Sequence, residues 1–428
     1  MSGDEHGKHL KPATHVIHGA YNPRWAEGAA KCPIFETSTW VFPTAEEGER
    51  FFSIVSGASQ LHEGEFVPLA YSRINHPGLE IAENRLVVWD GAEDCAVFAS
   101  GTAAISGTLL EFLEHGDVLL HNETLYGGTL TTIRKYLPRI MNITPVSFSS
   151  KETYEEILKK VARFTRQHSW KRIGCIFIET PTNPLNEQVD IALCVRLRDA
   201  LASDGHRPLL IVDNTFASPI YQSPLKLGAD LVIYSLTKYV GGQSRMVGGA
   251  CLGQREHIKR LKAIRGSFLG SVMDPHTCSK LLDGMETLEL RMERHAQNAK
   301  AVAQFLNSHP LVKKVYFPEL FMPGDPQHEI YHRQCTGPGA VVSFDIDGGK
   351  KEAFRFLNSL KVFKLAVSLG GTESLAEHPA RMTHAGVDSK ERERIGITDS
   401  MVRLAIGIED VGDLITDLSQ ALEQAKNQ

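Results

Sequence analysis

The sequence lacks a long apolar run, a long basic run and the closely spaced cysteine pairs of metal or disulfide sites. No apolar stretch approaches the roughly 20 residues that a membrane-spanning helix needs, and the polar N-terminus has no signal-peptide core. The net charge of −5, without a basic run, argues against a surface for nucleic acid or for anionic membranes. We therefore expect neither nucleic acid nor membrane among the partners.

Cysteine and histidine are present, but not in the spacing of a metal site. The seven cysteines are odd in number, widely spaced and never arranged as Cys-x-x-Cys. This usage is typical of free thiols in a reducing compartment. The 18 histidines include no His-Glu-x-x-His sequence. The sequence thus predicts a cytoplasmic protein without a metal site.

The length and the texture of the chain predict several domains. A chain of 428 residues is long for one compact core. Residues 1–68 show little periodicity and carry turn signals, which favours an extended arm. Residues 69–272 alternate apolar strands with helices, and residues 273–428 have the pattern of a smaller α+β domain. We predict domain boundaries near residues 68 and 272.

The alternating region favours a mostly parallel sheet that is covered by helices on both faces. Ligands of such sheets bind at the carboxyl ends of the strands. The predicted strands are 94–98, 118–121, 173–179, 209–213, 231–234 and 249–252, and the predicted helices include 101–113, 151–168 and 191–203. Beyond residue 272 we predict one long helix over 276–307, strands at 314–317, 340–346 and 401–408, a helix near 351–360 and a last helix capped by Asp410.

Two strand ends carry residues suited to a carbonyl cofactor. Lys238 follows the apolar strand 231–234 within Ser-Leu-Thr-Lys-Tyr, and Asp213 ends the strand 209–213. A lysine there can hold an aldehyde cofactor as a Schiff base, and an aspartate can pair with the nitrogen of a pyridine ring. The alternatives are a solvated surface lysine and a turn or capping aspartate.

A candidate phosphate site lies near this lysine. The turn that contains Gly101 and Thr102 leads from a strand into a helix, where free backbone N–H groups and the helix dipole favour an anion. Ser235 and Thr237 offer hydroxyls from the other side. An ordinary strand-to-helix turn is the alternative.

Other side chains suit recognition of a ligand. Arg73, close to Tyr71, suits a phosphate dianion, and Tyr126, followed by two glycines, can lie flat on an aromatic ring. Asn183 follows a strand, and Arg403 is a charge within an apolar strand that needs a partner, such as a substrate carboxylate. The alternatives are a surface arginine, a core tyrosine, a plain Asn-Pro turn and an internal salt bridge.

Taken in order, the motifs resemble the Cys/Met-metabolism family of pyridoxal-phosphate enzymes, which contains methionine γ-lyase, cystathionine γ-synthase, cystathionine γ- and β-lyases and homoserine-ester sulfhydrylases. The resemblance covers about residues 12–425. It rests on the segments Tyr71–Arg73, Ser100–Ile105, Tyr126–Thr129, Glu179–Pro184, Val212–Thr215, Tyr234–Tyr239, Ser368–Leu375, His378–His384 and Val402–Asp410.

The resemblance implies an α/β subunit of the fold-type-I, aspartate-aminotransferase-like class, with pyridoxal 5'-phosphate as cofactor. It implies that Lys238 carries the cofactor and moves protons and that Asp213 pairs with the pyridine nitrogen. It also implies that Tyr126 stacks on the ring and takes part in proton transfer. Gly101, Thr102, Ser235 and Thr237 would hold the phosphate.

The resemblance also implies a substrate site and an assembly. Arg403, with Ser368 and Asn183, would bind the substrate α-carboxylate. A homotetramer of two tight dimers would form, in which Tyr71 and Arg73 reach the phosphate in the neighbouring subunit and the arm crosses to the partner.

The positions that distinguish members of the family point in different directions. Val367 stands where cystathionine γ-synthases and γ-lyases typically carry Glu, which resembles methionine γ-lyases. Gly128 stands where methionine γ-lyases typically have Cys. Gln243 and Arg245 replace the usual His and Asp, and Arg245 is open to two roles, binding an acidic group of the substrate or pairing within the subunit.

We expect a carbon–sulfur lyase that acts on a sulfur amino acid by γ-elimination, like methionine γ-lyase, and releases 2-oxobutanoate, ammonia and a thiol. The alternatives are γ-replacement of an O-acylhomoserine by a thiol, as in cystathionine γ-synthase or a sulfhydrylase, and a cystathionine γ- or β-lyase. A non-catalytic relative that keeps the fold is a further alternative, which the intact Lys238, Asp213 and Tyr126 argue against.

Overall fold

Two β-sheets form the framework of the protein in the computed structural model, which describes residues 10–60, 62, 69–167, 172–203 and 205–426. The larger sheet has seven strands in the order β1-β7-β6-β5-β4-β2-β3. Neighbouring strands run parallel except at β7, which is antiparallel to both β1 and β6. The strands are β1 Asp94–Phe98, β2 Val118–Asn122, β3 Thr144–Phe148, β4 Ile173–Glu179, β5 Leu209–Asp213, β6 Leu231–Tyr234 and β7 Gly249–Gly253.

Both faces of this sheet are buried, as expected for a mostly parallel sheet. All seven residues of β4 are buried. Phe177 packs in one hydrophobic cluster, whereas its neighbours Ile176 and Ile178 pack in another. Because successive side chains of a strand point to opposite faces, the two clusters cover opposite faces. The predicted fold class is confirmed.

The smaller sheet is built from the C-terminal part of the chain. Its order is β10-β11-β12-β9-β8, and only β10 and β11 pair in parallel. The strands are β8 Val312–Tyr316, β9 Val341–Ile346, β10 Lys364–Leu365, β11 Leu375–Glu377 and β12 Met401–Ala405. The middle of this sheet, β12, therefore carries Arg403.

Helices connect and cover the strands, and local caps define several of their ends. Ser100 caps α4 because its hydroxyl accepts the N–H of Ala103 at 3.0 Å. The predicted cap Asp410 accepts the N–H of Gly412 at 2.8 Å. The helices are α1 Pro12–His18, α2 Ala45–Val55, α3 Pro77–Asp90, α4 Gly101–Phe112, α5 Gly127–Thr131, α6 Leu137–Met141, α7 Tyr154–Gln167, α8 Ile191–Ala200, α9 Ser218–Tyr221, α10 Arg255–Ile264, α11 Pro275–Glu286, α12 Leu288–Ser308, α13 Pro326–Gln334, α14 Lys350–Ser359, α15 Ser389–Arg394 and α16 Val411–Lys426.

The structure differs from the sequence predictions in several places. The arm is not extended throughout, because α1 and α2 form within it and α2 buries Phe51 and Ile54. Strands β3, β10 and β11 were not predicted. The helix expected over 276–307 is two helices, since the backbone at Thr287 leaves the helical region with φ −112° and ψ 9°.

Arg291, near the start of α12, contacts the segment that follows Lys238. Its guanidinium donates to the carbonyl oxygens of Tyr239, at 2.6 Å, and Val240, at 3.3 Å. These carbonyls belong to the turn directly after the lysine. Helix α12 thus helps to hold the segment that contains Lys238 in place.

The domain boundaries near residues 68 and 272 stay predictions, and Pro68 itself lies outside the described residues, as does His168, the predicted end of the helix 151–168. Among the described residues, the helices are all too short or too polar to cross a bilayer.

Candidate active site

The carboxyl ends of three neighbouring strands of the large sheet open into one cavity of about 270 Å³. Strand β4 ends at Glu179, β5 ends at Asp213, and β6 is followed by the segment that contains Lys238. Eleven of the thirteen predicted site residues line this cavity: Gly101, Thr102, Tyr126, Asn183, Asp213, Ser235, Thr237, Lys238, Val367, Ser368 and Arg403. The geometry therefore brings together residues that are far apart in sequence.

Lys238 lies where its amine can be neutral near physiological pH. Its Nζ donates to the Ser368 hydroxyl at 2.7 Å. Burial and then the charge of Arg403 lower the pKa of Lys238 to about 8, although Glu377 opposes the shift. Ser368 has a φ of 101°, which is strained for a residue other than glycine. A depressed pKa suits a lysine that acts as a nucleophile or a base.

Asp213 presents a fixed carboxylate to the same cavity. One of its oxygens, Oδ1, accepts the N–H of Thr215 at 3.0 Å and the hydroxyl of Thr215 at 2.6 Å. Burial raises the pKa of Asp213, and these hydrogen bonds oppose that shift. Thr215 was not predicted from the sequence. Its hydroxyl also accepts the N–H of Ser235 at 2.9 Å, so it joins the carboxylate to the lysine segment.

The N-terminus of α4 and the lysine segment form a cradle for an anion. The first N–H groups of a helix have no acceptor within the helix. A Cβ on Gly101 would lie 2.9 Å from the Ser235 side chain, so only glycine allows this close approach. The Thr237 hydroxyl forms hydrogen bonds with the backbone N–H and carbonyl oxygen of Gly248. The donors and the absent side chain suit a phosphate group.

Arg403 is a buried cation with partners from three segments. It donates to Asn183 Oδ1 at 3.0 Å and to the Ser368 carbonyl at 2.9 Å. Its NH1 also lies 2.7 Å from Oε1 of Glu377, its cross-strand neighbour on β11. Among the described residues, its Nε has no hydrogen-bond partner. The internal salt bridge, which the sequence analysis gave as an alternative, therefore exists. The guanidinium still has an N–H donor that is not used within the described residues.

Tyr126 stands at the mouth of the cavity and is 43% exposed. It precedes α5, and its backbone N–H donates to Glu179 Oε2 at 2.7 Å. A Cβ on Gly128 would lie 2.4 Å from the Tyr126 ring. A larger residue at position 128 would therefore require the ring to move.

Three side chains that the sequence analysis expects to distinguish family members, Val367, Gln243 and Arg245, are exposed. Val367 is 53% exposed and lines the cavity, as does Val247. Arg245 is exposed and does not line it. Gln243 is likewise exposed, and Ser244 between them hydrogen-bonds to Glu373. The open roles of Arg245 thus lie outside the cavity of its own chain.

Tyr71 and Arg73 are the two predicted residues that this cavity does not contain. Both are exposed, and the Arg73 guanidinium carbon lies 5.4 Å from the centre of the Tyr71 ring. Arg73 also donates to the carbonyl of Gly266.

The sequence analysis missed two buried carboxylates at this site, Glu179 and Glu377. Glu179 ends a buried apolar strand just as Asp213 does, and that shared position was a usable signal. Glu377 carries no comparable signal, because only the pairing of β11 with β12 places it opposite Arg403.

Several known proteins resemble this chain over nearly its whole length. L-methionine γ-lyase of Fusobacterium nucleatum subsp. polymorphum is 38% identical over 399 residues, which is 93% of this chain and 94% of that protein. Human cystathionine γ-lyase is 39% identical over 416 residues, or 96% and 94%. The crystal structure of cystathionine γ-synthase from Xanthomonas oryzae pv. oryzae, in complex with aminoacrylate and cysteine, superposes with a TM-score of 0.85 at 31% identity, covering 98% of this chain and 99% of that one.

One family profile, described as Cys/Met metabolism PLP-dependent enzyme, matches residues 13–423. PLP is pyridoxal phosphate, and the carbonyl-reactive lysine, the buried aspartate and the anion cradle of the cavity suit it. The resemblance read from the motifs is confirmed: the chain belongs to the Cys/Met-metabolism family of PLP-dependent enzymes.

Proposed function

We propose that the protein is a carbon–sulfur lyase that acts on a sulfur amino acid by γ-elimination and releases 2-oxobutanoate, ammonia and a thiol. The observation that carries the proposal is an apolar rim on a cavity that also holds Lys238 and Arg403. Val367 and Val247 line it with exposed apolar surface. An uncharged thioether tail suits this surface better than the charged distal end of cystathionine.

The cofactor-binding role of the cavity residues is part of the proposal. Asp213 would pair with the pyridine nitrogen, Tyr126 would cover the ring, and Lys238 would carry the aldehyde carbon. The phosphate would take the backbone N–H groups of Gly101 and Thr102 and the hydroxyls of Ser235 and Thr237. When bound, the cofactor supplies an electron sink for charge that develops at the substrate Cα.

Arg403 would hold the substrate by its α-carboxylate. A guanidinium offers five N–H donors, and the unpartnered Nε shows that not all of them are used. Asn183 and the Ser368 carbonyl fix the orientation of this fork. The substrate Cα would thereby come to rest beside Lys238, because Ser368 contacts both residues.

Lys238 would move the protons. Its neutral Nζ can take the proton from Cα, and the pKa of about 8 leaves a usable neutral fraction near pH 7. A second proton loss, at Cβ, permits the γ-substituent to leave. Tyr126, at the mouth of the cavity, would assist proton transfer to the departing sulfur.

The second candidate function is γ-replacement of an O-acylhomoserine by a thiol. It is favoured by the likeness to a cystathionine γ-synthase over 98% of this chain. The same residues serve both reactions, and the outcome depends on whether a thiol or a proton reaches the intermediate carbon skeleton. A cystathionine γ- or β-lyase remains the third alternative.

A substrate panel tests the proposal. Methionine, cystathionine, cysteine and O-acylhomoserines are each supplied with and without a thiol, and 2-oxobutanoate, pyruvate and new thioethers are measured. We expect rapid thiol-independent release of 2-oxobutanoate from methionine. Thiol-dependent formation of cystathionine or homocysteine from an ester, with methionine inert, would instead support the replacement reaction.

We also propose that the protein acts as a homotetramer of two dimers in the cytoplasm. The support is that Tyr71 and Arg73 are exposed and lie outside the cavity of their own chain, whereas the family resemblance assigns them to the neighbouring phosphate. The cytoplasmic location rests on the cysteine usage of the sequence. Light scattering of the purified holoenzyme tests the assembly, and a monomeric active enzyme would refute it.

A further inference from the structure

Glu179 is a buried residue in the wall of the cavity. The proposed function assigns no role to its carboxyl group. We propose that Glu179 is a positioning residue, which fixes the backbone of Tyr126 and of Asn183 to one strand end and so sets the distance between cofactor and substrate sites. The inference rests on the proposed function, because the roles of Tyr126 and Asn183 come from it.

Two oxygens of one side chain hold two separate segments. Glu179 Oε2 accepts the N–H of Tyr126 at 2.7 Å, and Oε1 accepts the N–H of Asn183 at 2.9 Å. The first segment follows β2, whereas the second follows β4. The Glu179 side chain has little freedom to move, because the residue is only 4% exposed.

The strand end that carries Glu179 is itself tied to its neighbours. The backbone N–H of Glu179 donates to Asn122 Oδ1 at 2.9 Å, at the end of β2. At the next residue, a Cβ on Gly127 would lie 2.4 Å from the carbonyl oxygen of Thr383. The backbone around Tyr126 thus has a hydrogen bond to Glu179 and a close backbone contact, which limit its movement.

Glu179 also lies next to the carboxylate that would face the pyridine ring. In the parallel pairing of β4 and β5, Glu179 is in register with Asp213. Burial and the charge of Asp213 raise the pKa of Glu179 well above its ordinary value, although its two N–H bonds and Arg403 oppose the shift. Two buried carboxyl groups side by side are unfavourable for stability alone. A positioning role explains why the chain tolerates them.

Glutamine is the sharpest substitution, because it keeps the shape of the side chain but leaves only one oxygen acceptor for two N–H donors. Asp417→Asn is the matched control. Asp417 is also buried and accepts the backbone N–H groups of Lys361, Val362 and Phe363 at 2.8, 2.8 and 3.0 Å, but it does not line the cavity.

The two holoenzyme variants are compared by thermal unfolding, kinetics on the best wild-type substrate and visible circular dichroism of the bound cofactor. Both should unfold at lower temperature. Only Glu179→Gln should lower kcat/KM, by about 10- to 100-fold, because small misplacements of reacting groups carry costs of this size. Only Glu179→Gln should change the visible dichroism, which reports the setting of the ring.

A double-mutant cycle shows whether the effect runs through the two held segments. We first replace both Tyr126 and Asn183 by alanine and then add Glu179→Gln. In this background, Glu179→Gln should lower kcat/KM by less than half of the fold-change that it causes in the wild-type background, since the effects of coupled residues are not additive. Asp417→Asn should show the same small effect in both backgrounds. If Glu179→Gln does not fold, Glu179→Asp replaces it, because the shorter side chain keeps a carboxyl group but cannot span both N–H groups.

The inference is overturned if the position-179 variant, at equal cofactor occupancy, keeps kcat/KM within about twofold and an unchanged dichroism spectrum, or if its effect is fully additive. A wild-type enzyme that is inactive on the whole substrate panel refutes the proposed function instead. In that case the dichroism arm, which needs no substrate, still tests Glu179.

Discussion

The inner half and the rim of the active site differ in how strongly the fold determines them. In the inner half, Asp213 and Lys238 stand at the ends of buried neighbouring strands, and their side chains are held by hydrogen bonds. At the rim, Val367 and Val247 are more than half exposed. The sheet thus fixes the residues of the inner half, whereas we expect the exposed side chains of the rim to influence which substrate is preferred.

The largest expected effect comes from the inner half. Lys238→Ala removes both the carbonyl-reactive amine and the base at Cα, so we expect activity to fall by about 10³-fold or more. Activity of the purified variant is measured beside its far-ultraviolet dichroism, which should remain that of a folded protein. A variant with wild-type turnover would remove Lys238 from the catalytic site.

Arg403 should give the next largest effect, on the small-domain side of the inner half. Arg403→Lys keeps the charge beside Glu377 but loses the planar fork. We expect KM for the amino-acid substrate to rise by about 100-fold, with a smaller change in kcat. Arg381→Lys, at an exposed ion pair with Asp399, serves as the control and should behave as wild type. An unchanged KM in Arg403→Lys would contradict the carboxylate-binding role.

A change at the rim should alter preference more than rate. Val367→Glu places a carboxylate where the distal amino group of cystathionine would lie. Beside the apolar tail of methionine, the same carboxylate would lose water without gaining a partner. We expect the ratio of kcat/KM for methionine to that for cystathionine to fall by about 10-fold or more. Val367→Gln separates charge from size and should shift the ratio less. Equal ratios in all three enzymes would place substrate choice elsewhere.

The smallest expected effect is a shift in a pH profile. In cofactor-free protein, the neutral amine of Lys238 would react with added cofactor, and its pKa is lowered to about 8. The rate of cofactor incorporation should therefore rise about tenfold per pH unit below that pKa and level off above it. Glu377 opposes the lowering, so Glu377→Gln should move the inflection to lower pH. A shift to higher pH would contradict the assigned charges.

The same contrast between inner half and rim explains what the sequence could predict. Strands such as β4 and β5 are continuous apolar runs that end in a polar residue, so both the strands and the residues after them are visible in the sequence. Strand β3 was missed because it contains Pro145 and is only partly buried. Its place at the edge of the sheet allows that proline.

Residues that depend on contacts between distant segments were harder to predict. Glu377 acquires its meaning only because β11 and β12 pair and bring it to Arg403, 26 residues further along the chain. The helix break at Thr287 lies close to another contact between distant segments, that of Arg291 with the turn after Lys238. Local propensity contains no information on either contact.

The most direct test of the central claim is to map the attachment site of the cofactor. The yellow holoenzyme is reduced with borohydride, digested and sequenced by mass spectrometry. We predict a single pyridoxyl group on the peptide that contains Lys238, and loss of the visible absorbance. Attachment at another lysine, such as the half-buried Lys262, or the absence of any attached cofactor, would contradict the account.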